Sequence, residues 1–405
     1  MVSIKVKFRS PAKTEDKGTI YYQITYKQKT RRISSGHHIY PHQWDNKRFT
    51  TLPTQCDDNN ALDIPLKQRI QIGINQFNAI EQKLSSHATT FTVNDIIDEY
   101  NSYTNEYSIS NYTENIILQL RLRNRIRTAE TYRATLRSFQ KFIFETYHFT
   151  DIIIDEMTHQ MTESYEAWLK SRGIVPNTIS FYLRILRALY NRAVSNGIFN
   201  NGNPFIHVYT GVDKTTKRAL SINTLKQILS LDLCRRPALD FARDIFMLSF
   251  YLRGMSFIDM SFLLKSDLKN NHITYRRRKT GQELSIEWTP EMQEIIDKYP
   301  ANDSRFLLPI IRHSNGNERK SYLNASYSIN RNLKKIGKMA NIDIPLTLYV
   351  ARHSWASAAK TNGIPLSVIS EGMGHDSETT TQIYLASLDA DIVDRANALI
   401  LQSLK

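Results

Sequence analysis

Four residue types gathered towards the C-terminal end of this chain could together move a phosphoryl group. In TLYVARHSWASAAKTNG, Arg352 and His353 lie on an Ala-rich helical pattern ended by Gly363. EGMGHDSETTTQIYL follows, with His375 in a Gly-His turn and Tyr384 nine residues further on, on a helix that Ser377 can cap. Lys279 marks the turn of a predicted hairpin, HITYRRRKTGQELSIEW. Breaking and rejoining a phosphodiester without a nucleotide cofactor needs such a set. A tyrosine can attack phosphorus and later leave again, but a phenol with a pKa near 10 needs help to lose its proton. The pentacoordinate phosphorane gathers negative charge that arginine, lysine and histidine donors must meet. A cationic group must also protonate the departing 5′ oxygen. Taken alone, the same spacing fits a capping histidine and one ordinary tyrosine among 21.

The elements that must position these groups belong to a long, basic chain. Its 405 residues call for two or three domains. Hydrophobic residues make up 41%, with no apolar run of the length that spans a bilayer. The opening MVSIKVKFRS has no apolar h-region, so no signal peptide is expected. Cys56 and Cys234 lie far apart and suggest neither a disulfide framework nor a zinc knuckle. These features lead to a cytoplasmic, nucleoid-associated protein with no membrane partner. A net charge of +14 and a pI of about 9.5 point to a polyanion, nucleic acid first.

Periodicity divides the chain into three modules. Residues 1–90 open β-rich: in GTIYYQITYKQKTRRISSGHHI, Ile20, Tyr22, Ile24 and Tyr26 share one face and Tyr21, Gln23, Thr25 and Lys27 the other. The first 50 residues hold 11 Lys/Arg against 3 Asp/Glu. Lys27, Lys29, Arg31 and Arg32 are the candidate contacts of a sheet that could lie in a DNA groove. A connecting helix follows. Residues 91–205 read as helical, with Thr92 a candidate N-cap. In NTISFYLRILRALYNRAVSNG an apolar stripe leaves Arg184 and Arg187 outside it, as candidate backbone contacts. A Gly/Pro/Asn linker then carries the cluster Lys214, Lys217 and Arg218. Residues 206–405 are mostly helical around the β insert. An amphipathic stretch in the tail, with Ile392, Ala396, Leu399 and Ile400, could dock on a neighbouring protomer or cover its own core.

ARHSWASAAKTNGIPLSVISEGMGHDSETTTQIYL resembles, across its length, the second signature box of the tyrosine recombinases, the phage-integrase family. FYLRGMSFIDM and TLYVARHSWA are similar to the subgroup found in Bacteroidetes and their mobile elements. The resemblance implies a multidomain, mainly α fold: a β-rich arm-binding module, a helical SAM-like core-binding domain, and a mostly α catalytic domain with a β-hairpin. The middle and last domains would form a C-shaped clamp on DNA. It implies that Tyr384 is the nucleophile, becoming 3′-phosphotyrosyl-linked, and that Arg352 and His375 contact the scissile phosphate. Lys279 would reach into the minor groove beside the cleavage site. No cofactor and no metal are expected. The implied partner is double-stranded DNA, with four protomers on two duplexes and a host DNA-bending factor as a further candidate.

Two positions depart from the family pattern. Tyr349 stands three residues before Arg352, where the family carries His or Lys; its hydroxyl keeps a donor there without a strong cation, so Tyr349 is a further candidate catalytic residue. Aligned on Asp259, the first-box arginine is replaced by Ser256, and Arg253 lies three residues earlier. On a helix Arg253 would share the face of Ser256, so it is the first candidate for the missing guanidinium; another cation is the alternative. An integrase of a mobile element or prophage leads. A promoter-switching DNA invertase and a DNA-binding regulator without catalysis are the alternatives, and a type IB topoisomerase is the more distant one.

Overall fold

The computed structural model describes residues 2–13, 15–46, 50–51, 63–87, 90–147, 149–199, 201–213, 218–300, 304–312, 316–375, 377–385 and 401–402. At residues 51, 63–65, 68, 87, 383 and 384 the description is of the backbone alone. The chain divides into two compact units, Met1–Lys214 and Thr215–Lys405. Among the described residues, no helix is long and apolar enough to cross a membrane.

The first unit opens with an antiparallel sheet of β1 (Ser3–Arg9), β2 (Gly18–Tyr26) and β3 (Lys29–Ile39), in that spatial order. Lys27 and Gln28, with φ of 46° and 64°, form the tight turn between β2 and β3, a left-handed pair that suits strand twist. Period two then sorts the side chains. Ile20, Tyr22 and Ile24 are buried against Phe77 and Ile80 of α1 (Asp63–His87) and against Ile96 and Tyr100 of α2 (Val93–Glu106). A short ribbon of β4 (Trp44–Asp45) and β5 (Thr50–Thr51) adds to the β structure. Thr92 does cap α2: its hydroxyl accepts from the Asp95 amide, and Asp95 accepts from the Thr92 amide.

A second core fills the rest of this unit. Here α3 (Ile109–Leu122), α4 (Ile126–Tyr147), α5 (His159–Ser171) and α6 (Pro176–Ser195) pack around Phe139, Phe142, Tyr165, Leu183 and Leu186. Gly197, just past α6, takes the left-handed φ of 72° that ends the helix. The two cores meet at a buried polar seam. Arg69 Nη2 donates to Glu156 Oε2 at 2.8 Å, and Gln76 Nε2 and the Tyr103 hydroxyl donate to Asp155 Oδ2 at 2.7 and 3.0 Å. Burial pushes the Asp155 carboxyl up to about 6. It pushes His37 down to about 3, with the Arg69 charge adding to the effect.

The second unit is built on α8 (Pro237–Tyr251), whose Ile245, Phe246 and Leu248 are buried in one core with Leu333 and Ile336 of α11 (Glu318–Met339) and Val350 and Ala351 of α12 (Leu348–Thr361). The short α7 (Ile222–Leu229), α9 (Phe257–Ser261) and α10 (Pro290–Asp297) complete this layer. The expected insert is a three-stranded sheet, β6 (Leu268–Lys269), β7 (His272–Arg276) and β8 (Glu283–Glu287), with Ile273 and Ile286 turned into the core. After α12 come α13 (Leu366–Met373) and α14 (Glu378–Leu385). The amphipathic tail stretch around Ile392 and Leu399 lies outside the described residues.

One local expectation is corrected. Arg253 and Ser256 do not share a helix face. The helix α8 ends at Tyr251, and Arg253 (φ 56°) and Gly254 (φ 72°) turn left-handed. Ser256 then caps α9: its Oγ accepts from the Asp259 amide at 3.4 Å and donates to Asp259 Oδ2 at 2.6 Å. The turn between the two residues breaks the 3.6-residue period on which the expectation stood.

Candidate active site

Arg352 sits on α12, is only 5% exposed, and is held by main-chain carbonyls. Nη1 donates to the Gly254 carbonyl at 2.7 Å and Nη2 to the Met373 carbonyl at 2.7 Å. The first carbonyl comes from the left-handed turn after α8, the second from the last residue of α13. Close approach at the turn requires glycine: a Cβ on Gly254 would stand 2.8 Å from Arg352 Cα. The C-terminal end of a helix carries partial negative charge that favours a cation. Main-chain dipoles thus fix the fork without cancelling its charge.

Arg277 completes the pattern. It follows β7, is 7% exposed, and donates through Nη1 to the Gly374 carbonyl, one residue past α13. No ion pair joins it to a carboxylate among the described residues. Two buried arginines therefore converge on the end of one helix. Buried charge is costly unless it is met, and a phosphate group, with its bidentate affinity for planar guanidinium, suits the site they form.

His375 lies beside Arg352. Its Nε2 is 3.0 Å from Arg352 Nη2 and its Nδ1 is 2.7 Å from Thr381 Oγ1 on α14. A guanidinium only donates, so Nε2 is the acceptor and Nδ1 carries the proton toward Thr381. Burial, then the charges of Arg352, Arg277 and Lys279, bring His375 down to about 4. The imidazole is neutral at physiological pH with its lone pair facing Arg352.

The four consecutive cations of the hairpin divide by direction. Arg276 pairs with Glu283 at 3.3 Å across the sheet. The Arg278 guanidinium lies 4.1 Å from the Phe262 ring centroid, and its amide donates to Asp259 Oδ1 at 2.9 Å. Arg277 points inward. Lys279 is exposed in the loop, close enough for its charge to act on His375. Asp259 is buried and organises backbone, accepting from the Arg278 amide and the Ser256 hydroxyl.

Arg253 is half-buried beside this cluster, and its Cδ would be 3.9 Å from a Cβ on Gly372. Tyr349, 59% exposed, sets its ring edge-to-face on buried His353, with centroids 4.7 Å apart. Tyr384 belongs to α14, and its side chain lies outside the described residues. Of the residues named from sequence, the structure brings Arg352 and His375 together with the Lys279 charge nearby; Arg277, buried in the same cluster, was not among those named. The alternation of β7 carried a signal, since Ile273 and Tyr275 share the inward phase and Arg277 continues it.

The expected nucleic-acid contacts scatter more widely. Lys27 is exposed in the β2–β3 turn and Lys29 opens β3. Arg32 pairs with Gln23 on the open sheet face, whereas Arg31 pairs with Ile24 on the covered face and donates to Asn94 Oδ1 at 3.1 Å. The register reveals three further cations on the open face: Lys5, Lys7 and Arg9, opposite Gln23, Tyr21 and Thr19. Arg184 is exposed, Arg187 donates to Thr210 Oγ1 at 3.1 Å, and Arg218 is exposed. Lys214 and Lys217 lie outside the described residues.

The chain is similar to known proteins. Residues 108–208 match the Phage integrase SAM-like domain and residues 239–391 the Phage integrase family, together more than half of the chain. Tyrosine recombinase XerD of Halalkalibacterium halodurans is 26% identical over 236 residues, 56% of this chain and 77% of its own. Tyrosine recombinase XerA of Thermococcus onnurineus is 27% identical over 268 residues, 56% of this chain and 91% of its own. The fold is that of a lambda integrase dimer bound to a COC′ core site, with a TM-score of 0.56 at 14% identity over 95% of both chains. A lambda integrase tetramer bound to a Holliday junction gives 0.54 at 15% identity, over 86% of this chain and 92% of that one.

Proposed function

The chain belongs to the phage integrase family and is a tyrosine site-specific recombinase; on that premise we propose that it cuts and rejoins double-stranded DNA through a 3′-phosphotyrosyl bond at Tyr384. The observation that carries this reading is the convergence of buried Arg352 and Arg277 on the end of α13, around His375. The two guanidinium groups bind the non-bridging oxygens of the scissile phosphate, and Arg277 takes the place left open by Ser256. With the Arg352 guanidinium turned to the phosphate, His375 Nε2 gives up its hydrogen bond from Arg352 and accepts the phenolic proton as the Tyr384 oxygen forms its bond to phosphorus. The bond from phosphorus to the 5′ oxygen breaks, and Lys279 supplies the proton to that oxygen. Reversal by a 5′ hydroxyl from another strand restores tyrosine and a new phosphodiester. Each preorganised donor of this kind contributes about 10²–10³ in rate.

Relatedness to a lambda integrase tetramer on a Holliday junction supports four protomers on two duplexes. The cationic open face of the β1–β3 sheet supports a second DNA contact, which favours an element integrase over an invertase. The experiment is covalent capture on a nicked duplex carrying the chain's own crossover site. Wild type yields an SDS-resistant adduct, whereas Tyr384→Phe binds the duplex and yields none. An adduct from Tyr384→Phe would remove the nucleophile assignment, and wild type without adduct would favour a binding protein that has lost catalysis.

A further inference from the structure

Tyr349 carries a ring where the family pattern has a cation, and its surroundings suit a ring. It lies one helical turn before Arg352 on α12 and is 59% exposed. Its plane is fixed at 89° to the ring of His353, with centroids 4.7 Å apart, and His353 is itself 8% exposed. Beside it opens a cavity of about 260 Å³ that Met255, Phe257, Leu348, Tyr349 and Arg352 line. Sites for drug-sized ligands run from about 300 to 1,000 Å³, so this one admits a single sugar or base ring. Arg352 borders both this cavity and the cluster around His375.

We propose that the apolar cavity beside Arg352 holds the nucleoside adjoining the scissile phosphate and that Tyr349 is its stacking wall. The proposal rests on the recombinase reading, because the phosphate at Arg352 is what brings a nucleoside to this place. Stacking on a preset ring positions the phosphate for in-line attack, and an aromatic face accepts any base. Tyr349 is on this view a positioning residue whose ring, and not whose hydroxyl, does the task.

The test compares wild type, Tyr349→Phe and Tyr349→Ala by single-turnover covalent capture. Intact nicked duplexes are set beside duplexes made abasic at either nucleotide flanking the cut. Tyr349→Phe is expected to stay within about twofold of wild type and Tyr349→Ala to lose about tenfold, the scale of one base–aromatic stack. One of the two abasic duplexes costs wild type a similar factor and costs Tyr349→Ala nothing further. Equal losses in Tyr349→Phe and Tyr349→Ala would overturn the proposal in favour of the hydroxyl. So would a Tyr349→Ala variant that still loses rate on every abasic duplex. Wild type on the intact duplex is the reference, so failure of the recombinase reading shows there and failure of the cavity shows in the variants. Exposure of Tyr349 keeps the fold out of the comparison, which thermal melts of the variants verify.

Discussion

At the scale of single residues, the site rests on cations held by backbone carbonyls. Arg277→Ala removes a buried donor and is expected to lower the covalent-adduct rate on the order of 10²-fold or more. Arg253→Ala should cost less, since Arg253 is half-buried, whereas Arg277 is buried and anchored on the Gly374 carbonyl. Arg277→Lys keeps the charge but loses the planar fork, and recovers only part of the rate. Adduct rates measured beside melting curves separate the two arginines; a wild-type rate in Arg277→Ala would remove it from the site. The pH profile gives a second prediction. With His375 brought down to about 4 by burial and by Arg352, Arg277 and Lys279, the single-turnover rate under subsaturating DNA should hold through pH 6.5 and fall only as pH approaches 4. An ordinary histidine would inflect near 6.5. The sign for stability follows: between 6.5 and about 4 the unfolded state binds the proton and the folded state does not, so stability is lost as pH falls through that window. Arg352 and His375 were legible in the sequence because their neighbours repeat a signature. Arg277 was not, because four consecutive cations look alike until the strand phase and the turn after β7 decide which one enters the protein.

At the scale of elements, the turn between α8 and α9 sets the geometry of Arg352. Gly254 must be left-handed and must lack a Cβ, since that atom would stand 2.8 Å from Arg352 Cα. Gly254→Ala therefore adds backbone strain of about 1 kcal/mol or more and pushes α12 away from the carbonyl that holds Arg352. Cleavage should fall steeply while the protein still folds. Ser256→Ala makes the contrast. It removes an N-cap worth about 1 kcal/mol, lowers the melting temperature, and leaves the cleavage rate near wild type. A steep rate loss in Ser256→Ala at unchanged DNA affinity would show that the hydroxyl works in the site and is more than a cap. The helix α12 was readable from its Ala-rich pattern, as was the β insert from its alternation. The turn was missed because LRGMS continues a helical apolar pattern, and only the left-handed pair at Arg253 and Gly254 interrupts it.

At the scale of the whole molecule, the proposed second DNA contact is a sheet far along the sequence from Tyr384. The open face of β1–β3 carries Lys5, Lys7, Arg9 and Arg32 in register, with Arg32 5.5 Å from the Tyr21 ring centroid. Sequence periodicity separated the faces of β2 but left β1 unpaired, so the cations of β1 gained meaning only from the register. Removing residues 1–90 would test this face badly. It would strip Arg69 from Glu156 and Gln76 from Asp155, leaving a seam of carboxylates that the first unit buries, and loss of a buried partner is strongly destabilising. Changing Lys5, Arg9 and Arg32 together to alanine keeps that seam intact and touches exposed side chains alone. Each phosphate no longer neutralised should reduce the slope of log affinity against log salt by about 0.9, so the absence of three cations flattens it by roughly 2.7. The triple variant is expected to form covalent adduct on a short crossover-site duplex at the wild-type rate, because its catalytic unit is untouched. Joining of two full-length element and target DNAs should fail, because the second DNA-holding face is gone. An unchanged salt slope together with unchanged joining would show that the sheet face is a solvated surface, and would return the choice between integrase and invertase to the DNA flanking the gene.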